Sequence, residues 1–164
     1  TYFIIILVFN ILLVFLQVQY YFEDFLVNYL HKNADLSGRV YTWNLGIKSV
    51  KEHFFLGIGG QTPEVMQSIY YKTNQHAHNL FLNVLVNGGV ISLTILFVMY
   101  LQIGKKLSSC KNKKISSILS FSIFLILFLS IADTFDTYIV YIIYTLAYHV
   151  NELEFVKEEN INNE

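Results

Sequence analysis

Residues 80–103 read LFLNVLVNGGVISLTILFVMYLQI, a run with no charged side chain. A helix rises 1.5 Å per residue, so about 20 mostly apolar residues cross the hydrocarbon of a bilayer. The run predicts a transmembrane helix, and the segments around it are read from that anchor. Upstream, Tyr2 to Tyr21 forms a second apolar run interrupted by Asn10, Gln17 and Gln19. Downstream, Ile115 to Ile131 forms a third, and a tyrosine-rich run from Tyr138 a fourth. Tyr20, Tyr21, Tyr138, Tyr141, Tyr144 and Tyr148 suit headgroup depth, where a ring is buried and its hydroxyl stays wet. The expected fold is all-α and polytopic, with about four spans at 1–22, 80–103, 115–132 and 138–153.

Composition agrees. Of 164 residues, 54% are hydrophobic and 14% charged, against about 25% charged in a soluble domain. A chain of this length cannot bury helices that are apolar all round within a core of its own. No basic run interleaved with aromatics occurs, which argues against a nucleic-acid partner. The single cysteine, Cys110, excludes an internal disulfide framework. The opening Thr1-Tyr2-Phe3 lacks a basic leader region and the run after it lacks a small-residue cleavage site, so a longer parent chain with further spans upstream is expected. The abundance of Ile, Phe, Tyr, Asn and Lys fits an AT-rich bacterial genome.

Orientation follows from the link at 104–114, which holds Lys105, Lys106, Lys111, Lys113 and Lys114 and no acid. The positive-inside rule puts this link in the cytoplasm. The long loop at 23–79 and the turn at 133–137 are then extracytoplasmic, and the acidic tail at 154–164 is cytoplasmic.

The outer loop carries the groups that can do chemistry. Asp35-Leu36-Ser37 predicts a helix start, because such side chains accept hydrogen bonds from first-turn amides. Val40, Trp43, Ile47, Val50 and Phe54 then recur three and four apart, an amphipathic helix expected to lie in the outer headgroup layer with Trp43 dipped into it. Arg39 falls in the first turn, where unpaired amides and the helix dipole also favour a phosphate. Stacking of Arg39 on Trp43 fits the spacing equally well. Gly57, Gly59 and Gly60 permit close backbone approach and could cradle a phosphate, although a surface turn is the simpler reading. Residues 61–75 read as a partly helical excursion.

His76 and His78 precede the span at 80–103. A histidine can act there as general base, and a His-x-His pair can bind metal, but no acid flanks this pair in sequence. Either His78 or Asn79 could instead cap the helix that follows. Gly88-Gly89 would allow close helix packing. Asp133 and Asp136 sit in the turn between the third and fourth spans; a wet turn explains them, and so does an acid that orients His78 or faces Arg39.

Taken in order, Ser37-Gly38-Arg39, Trp43, the Leu56–Gly59 turn and His78-Asn79 with Leu82, Leu85 and Gly88 resemble the bacterial O-antigen ligase and polymerase family over residues 35–103. Two features depart from its pattern: Phe54-Phe55 stands where a proline often precedes the Leu-x-Gly turn, and Ser92 stands near a usual glycine. The resemblance implies metal-independent, inverting glycosyl transfer without a cofactor on the outer face of the bacterial plasma membrane. Its donor would be a polyprenyl-diphosphate-linked glycan. It implies His78 as general base and Arg39 as diphosphate ligand; beside them, Trp43, Gly57, Gly59, His76 and Asn79 are candidate substrate contacts and Asp133 and Asp136 candidate orienting acids. A polymerase serving capsule, exopolysaccharide or O-antigen is expected, beside a flippase and a chain-length regulator. A ligase to a lipid, wall or protein acceptor is the near alternative. A glycan transporter would require charged residues deep in the spans, and these have none.

Overall fold

The computed structural model describes residues 2–36, 38–60, 62–71, 76–134 and 138–152, and every regular element among them is helical. Ser37, Asp136 and the tail at 154–164 lie outside the described residues. Two units can be distinguished. One comprises residues 1–93 with 129–134, the other 94–128 with 135–164.

In the first unit, α1 (Tyr2–Asn10) runs into a π-helical turn at Ile11–Phe15. Gln17 then takes a left-handed conformation, φ 50°, and a 3-10 turn at Val18–Phe22 leads into α2 (Glu23–Asn28). The expected span at 1–22 is therefore not one straight helix: its halves, Phe3–Phe15 and Val18–Asn28, bend by 78°. A non-glycine residue at positive φ cannot continue a right-handed helix, and Gln17 is tied away by its amide donating to Asn44 Oδ1 at 2.7 Å.

The loop helix, α3 (Arg39–Glu52), begins later than Asp35-Leu36-Ser37 suggests. Gly38 at φ 84° precedes it, with no capping side chain. Its apolar stripe faces protein. Val40, Trp43 and Val50 join Val14, Ala77, Leu82, Leu85 and Val86 in one buried cluster with Met66 and Tyr70 of α4 (Pro63–Tyr70). Trp43 is 1% exposed, so it is a core side chain rather than a headgroup anchor. Burying each such residue contributes about 1.5–3 kcal/mol. The stripe ends before Phe54, which lies beyond the helix and is exposed. Thr62 caps α4 by accepting from the Val65 amide, and Pro63 sits in its first turn, where a missing N–H costs nothing.

The long helix, α5 (Leu80–Ser109), is broken at Gly89, φ 62° and ψ −164°. The turn after α3 fills the break. Ile58 and Gly59 amides donate to the Val86 and Asn87 carbonyls at 2.9 Å, and the Val90 and Ile91 amides donate to the Phe54 and Phe55 carbonyls at 2.9 and 3.4 Å. Backbone groups freed by the break are thus paired again, as any apolar setting requires. A Cβ on Gly89 would lie 2.2 Å from the Phe55 carbonyl oxygen, and one on Gly57 2.5 Å from the Asn87 backbone. Gly89 admits a loop here, not the neighbouring helix that the sequence suggests.

The second unit holds the C-terminal half of α5, α6 (Lys113–Leu129) and α7 (Tyr138–Tyr148). The Tyr100 and Tyr144 hydroxyls are bonded at 2.7 Å, Ser116 Oγ donates to the Leu107 carbonyl at 2.6 Å, and Asn151 donates to Ser109 Oγ at 3.0 Å. Among the described residues, α5 alone is long and apolar enough to cross a bilayer unaided; the bent pair at Phe3–Asn28 is the second candidate.

Candidate functional site

The start of α5 shows how the site is built. Asn79 Oδ1 accepts from the Leu82 amide at 3.0 Å, an N-cap, while its Nδ2 donates to Asn10 Oδ1 at 2.5 Å and to the Ile131 carbonyl at 3.0 Å. The Leu80 amide donates to the Ser130 carbonyl at 3.0 Å. Asn10 is itself fixed by donating to the Ile6 carbonyl at 3.0 Å. These ties draw residues 129–134 onto the first turn of α5. Asn79 is 1% exposed and both ends of its amide are engaged, so its polar atoms face protein rather than solvent.

The same ties bring Asp133 to the histidines. His78 Nδ1 lies 3.3 Å from Asp133 Oδ1, and His76 Nε2 lies 3.9 Å from the same oxygen. The imidazole centroids are 4.1 Å apart. His78 has φ 47°, a left-handed conformation that costs a non-glycine residue on the order of 1–3 kcal/mol and recurs at functional sites. Its amide donates to His76 Nδ1 at 3.1 Å. The Thr134 amide donates to Asp133 Oδ1 at 2.8 Å. All three side chains are partly open to solvent.

Electrostatics set the charges. Partial burial works to raise the Asp133 carboxyl, but the Thr134 amide, the His78 hydrogen bond and the two nearby imidazoles outweigh it and hold it below its ordinary 3.8. Burial first, then the neighbouring His78, hold the His76 imidazole below its ordinary 6.5 against the opposing pull of Asp133. An ionised Asp133 can only accept, so His78 Nδ1 carries a proton, and in the neutral ring Nε2 presents a lone pair. That arrangement suits a general base.

His76, His78 and Asp133 also place one potential metal-ligand atom each within 4.8 Å of one another. The fold thus supplies the acid that the sequence around the histidines lacks, although 55 residues separate His78 from Asp133.

Arg39 opens α3, partly exposed, and enters no ion pair among the described residues. Its neighbour Val40 and the residue between the histidines, Ala77, belong to one apolar cluster. Trp43 lies inside that cluster. Gly57 and Gly59 sit in the turn that plugs α5. Their amides donate to the His53 and Asn87 carbonyls at 2.9 Å, so they are not directed at a phosphate. Asp133 is brought to the histidines, whereas Asp136 lies outside the described residues. Sequence reasoning missed Asn10 and the Ser130 and Ile131 carbonyls. Asn10, the first of three amides that interrupt the apolar run, was a signal for itself, and the two carbonyls carried none.

The family model described as O-antigen ligase matches residues 1–98, from α1 through the break in α5. The match includes Arg39, His76 and His78 and stops before Asp133. No curated protein and no solved structure matches the chain.

Proposed function

The chain belongs to the O-antigen ligase family, and on that premise we propose that it is part of a polysaccharide polymerase that transfers glycan from a polyprenyl-diphosphate donor to a lipid-linked acceptor glycan. The observation that carries this reading is His78, with Nδ1 held by Asp133 and no partner at Nε2 among the described residues.

The acceptor hydroxyl attacks the anomeric carbon and its proton passes to His78 Nε2. The anomeric C–O bond to the diphosphate breaks on the opposite face, and polyprenyl diphosphate leaves with the bonding pair, inverting the centre. Arg39 meets the negative charge on the leaving diphosphate; fixed positive groups of this kind stabilise a transition state without reorganising. Asp133 stabilises the imidazolium until it returns its proton to water. The partners of the reaction are the lipid-linked glycan and membrane lipid, with a flippase and a chain-length regulator beside them.

The site belongs on the extracytoplasmic side of the plasma membrane, with spans near 80–103, 115–132 and 138–153 and a bent entry through residues 1–22. Support comes from Ile91, Ile95, Val98 and Leu101, which leave one exposed apolar stripe along α5, and from exposed Ile4, Ile5, Val8 and Phe9 on α1. Such stripes fit lipid contact. The loop at 23–79 and the turn at 133–137 then share the outer face, and the lysines of 104–114 and the tail at 154–164 the inner one.

The test uses the full-length parent with His78→Ala or Arg39→Lys in a polymer-deficient host, reading lipid-linked glycan and surface polysaccharide on gels. Single repeat units with no ladder are expected for His78→Ala. A severe loss is expected for Arg39→Lys, because a point charge cannot replace a bidentate fork. A ladder that stays on the carrier lipid would identify a ligase, the activity for which the family model is described. Unchanged surface polymer in His78→Ala would exclude His78 as the base.

A further inference from the structure

The hydrogen bond from the His78 amide to His76 Nδ1, at 3.1 Å, constrains more than the turn. An amide can only donate, so Nδ1 must present its lone pair, and the proton of a neutral His76 must sit on Nε2. That nitrogen is the one facing Asp133 Oδ1, at 3.9 Å. The same oxygen faces His78 Nδ1 at 3.3 Å and the Thr134 amide at 2.8 Å. The chain of dependence closes on itself. The His78 backbone sets the His76 tautomer, His76 turns an N–H toward Asp133, and Asp133 holds the N–H of the His78 ring.

We infer that His76 is a positioning residue, locked as its Nε2–H tautomer, that steadies Asp133 as an acceptor and so keeps the His78 Nε2 lone pair turned to the substrate. The inference rests on the reading of His78 as base. It also decides against the competing use of this cluster. A metal-ligating nitrogen must be unprotonated. Freeing His76 Nε2 for a cation would move the proton to Nδ1 and set it against the His78 N–H. The 3.9 Å gap is longer than a hydrogen bond, and catalytic contacts commonly tighten only when substrate is bound. His76 held neutral below its ordinary value is consistent with the lock.

Two substitutions separate the two roles of the ring. His76→Asn keeps an oxygen near the place of Nδ1, able to accept from the His78 amide as turn-forming asparagines do, but its NH2 stops short of the place of Nε2 opposite Asp133. His76→Gln carries an amide N–H toward the place of Nε2 and loses the backbone acceptor. The assay is steady-state transfer by the full-length protein in nanodiscs, beside His78→Ala and wild type.

The expected result is that His76→Gln stays within about threefold of wild type, while His76→Asn loses roughly ten- to a hundredfold in kcat with the donor KM unchanged, part of what a general base supplies. Activity kept by Asn and lost by Gln would reduce His76 to a turn former and overturn the inference, as would equal effects of both. Wild-type activity that zinc chloride restores after chelation, absent in both variants, would overturn it in favour of a metal site. If His78→Ala is dead while both His76 variants match wild type, only the inference about His76 falls. If His78→Ala remains active, the base reading fails first.

Discussion

Asn79→Ala separates a latch from a ligand. As a substrate contact, Asn79 would affect KM and leave the fold intact. The structure gives it a different role, since it caps α5 through the Leu82 amide and donates to Asn10 Oδ1 and the Ile131 carbonyl. Losing an asparagine cap costs about 1 kcal/mol. Each of the two acceptors stays buried without its donor, at about 1–3 kcal/mol apiece. The total is about 3–7 kcal/mol, a large part of a stability of about 5–15 kcal/mol. The damage is local to the site, because the lost bonds are those that bring residues 129–134, and Asp133 with them, to the histidines. Thermal unfolding of the full-length protein in nanodiscs should show the destabilisation, and transfer kinetics should show a fall in kcat with the donor KM little changed. Asn79→Ser, which can cap but cannot reach both acceptors, should recover only about 1 kcal/mol. Asn79→Asp should fare no better than Ala, since it turns an oxygen toward Asn10 Oδ1 and the Ile131 carbonyl. A wild-type melting curve for Asn79→Ala with a raised KM would refute the latch and return Asn79 to the substrate.

Gly89→Ala should cost at least about 3 kcal/mol, from strain at a backbone conformation only glycine adopts readily and from bonds to Phe54 and Phe55 at about 1 kcal/mol each; Gly60→Ala, whose Cβ meets nothing, should melt within about 0.5 kcal/mol of wild type. Stability should also fall with pH in two steps. His76 is harder to protonate folded than unfolded, so its contribution is complete above 6.5 and is lost as pH falls from there toward its lower folded value. Asp133 has a depressed folded value, so its contribution persists to about 3.8 and is lost below it. Melting temperatures between pH 5 and 7 should show the first step in wild type and not in His76→Asn.

The helical character of the chain was legible because a run such as 80–103 has few alternatives once its length and lack of charge are known. The bend at Gln17 was not, since a polar residue inside an apolar run signals neither its backbone angle nor its bond to Asn44. The stripe on α3 was legible as a period, but a period does not say what covers it: Trp43 shares a common core with Leu82 and Tyr70, although lipid headgroups would have suited the same spacing. Gly57 and Gly89 were visible as glycines, yet the reason for them lies in each other's neighbourhood, where one backbone plugs the break in another.

The pairing of His78 with Asp133 has the same origin. Ser130 and Ile131 contribute main-chain carbonyls to the ties, so their side-chain identities carry no trace of that role. Asn79 carries the recognisable half of the contact and reads as a helix cap, which it also is. A motif at 76–79 therefore carries the two imidazoles and the anchor for an acid beyond the family match, while the acid's own segment is held through atoms that every residue possesses. That asymmetry explains why the sequence left Asp133 open between a wet turn and an orienting acid: the information that brings it to the histidines is written at Asn79, not at Asp133.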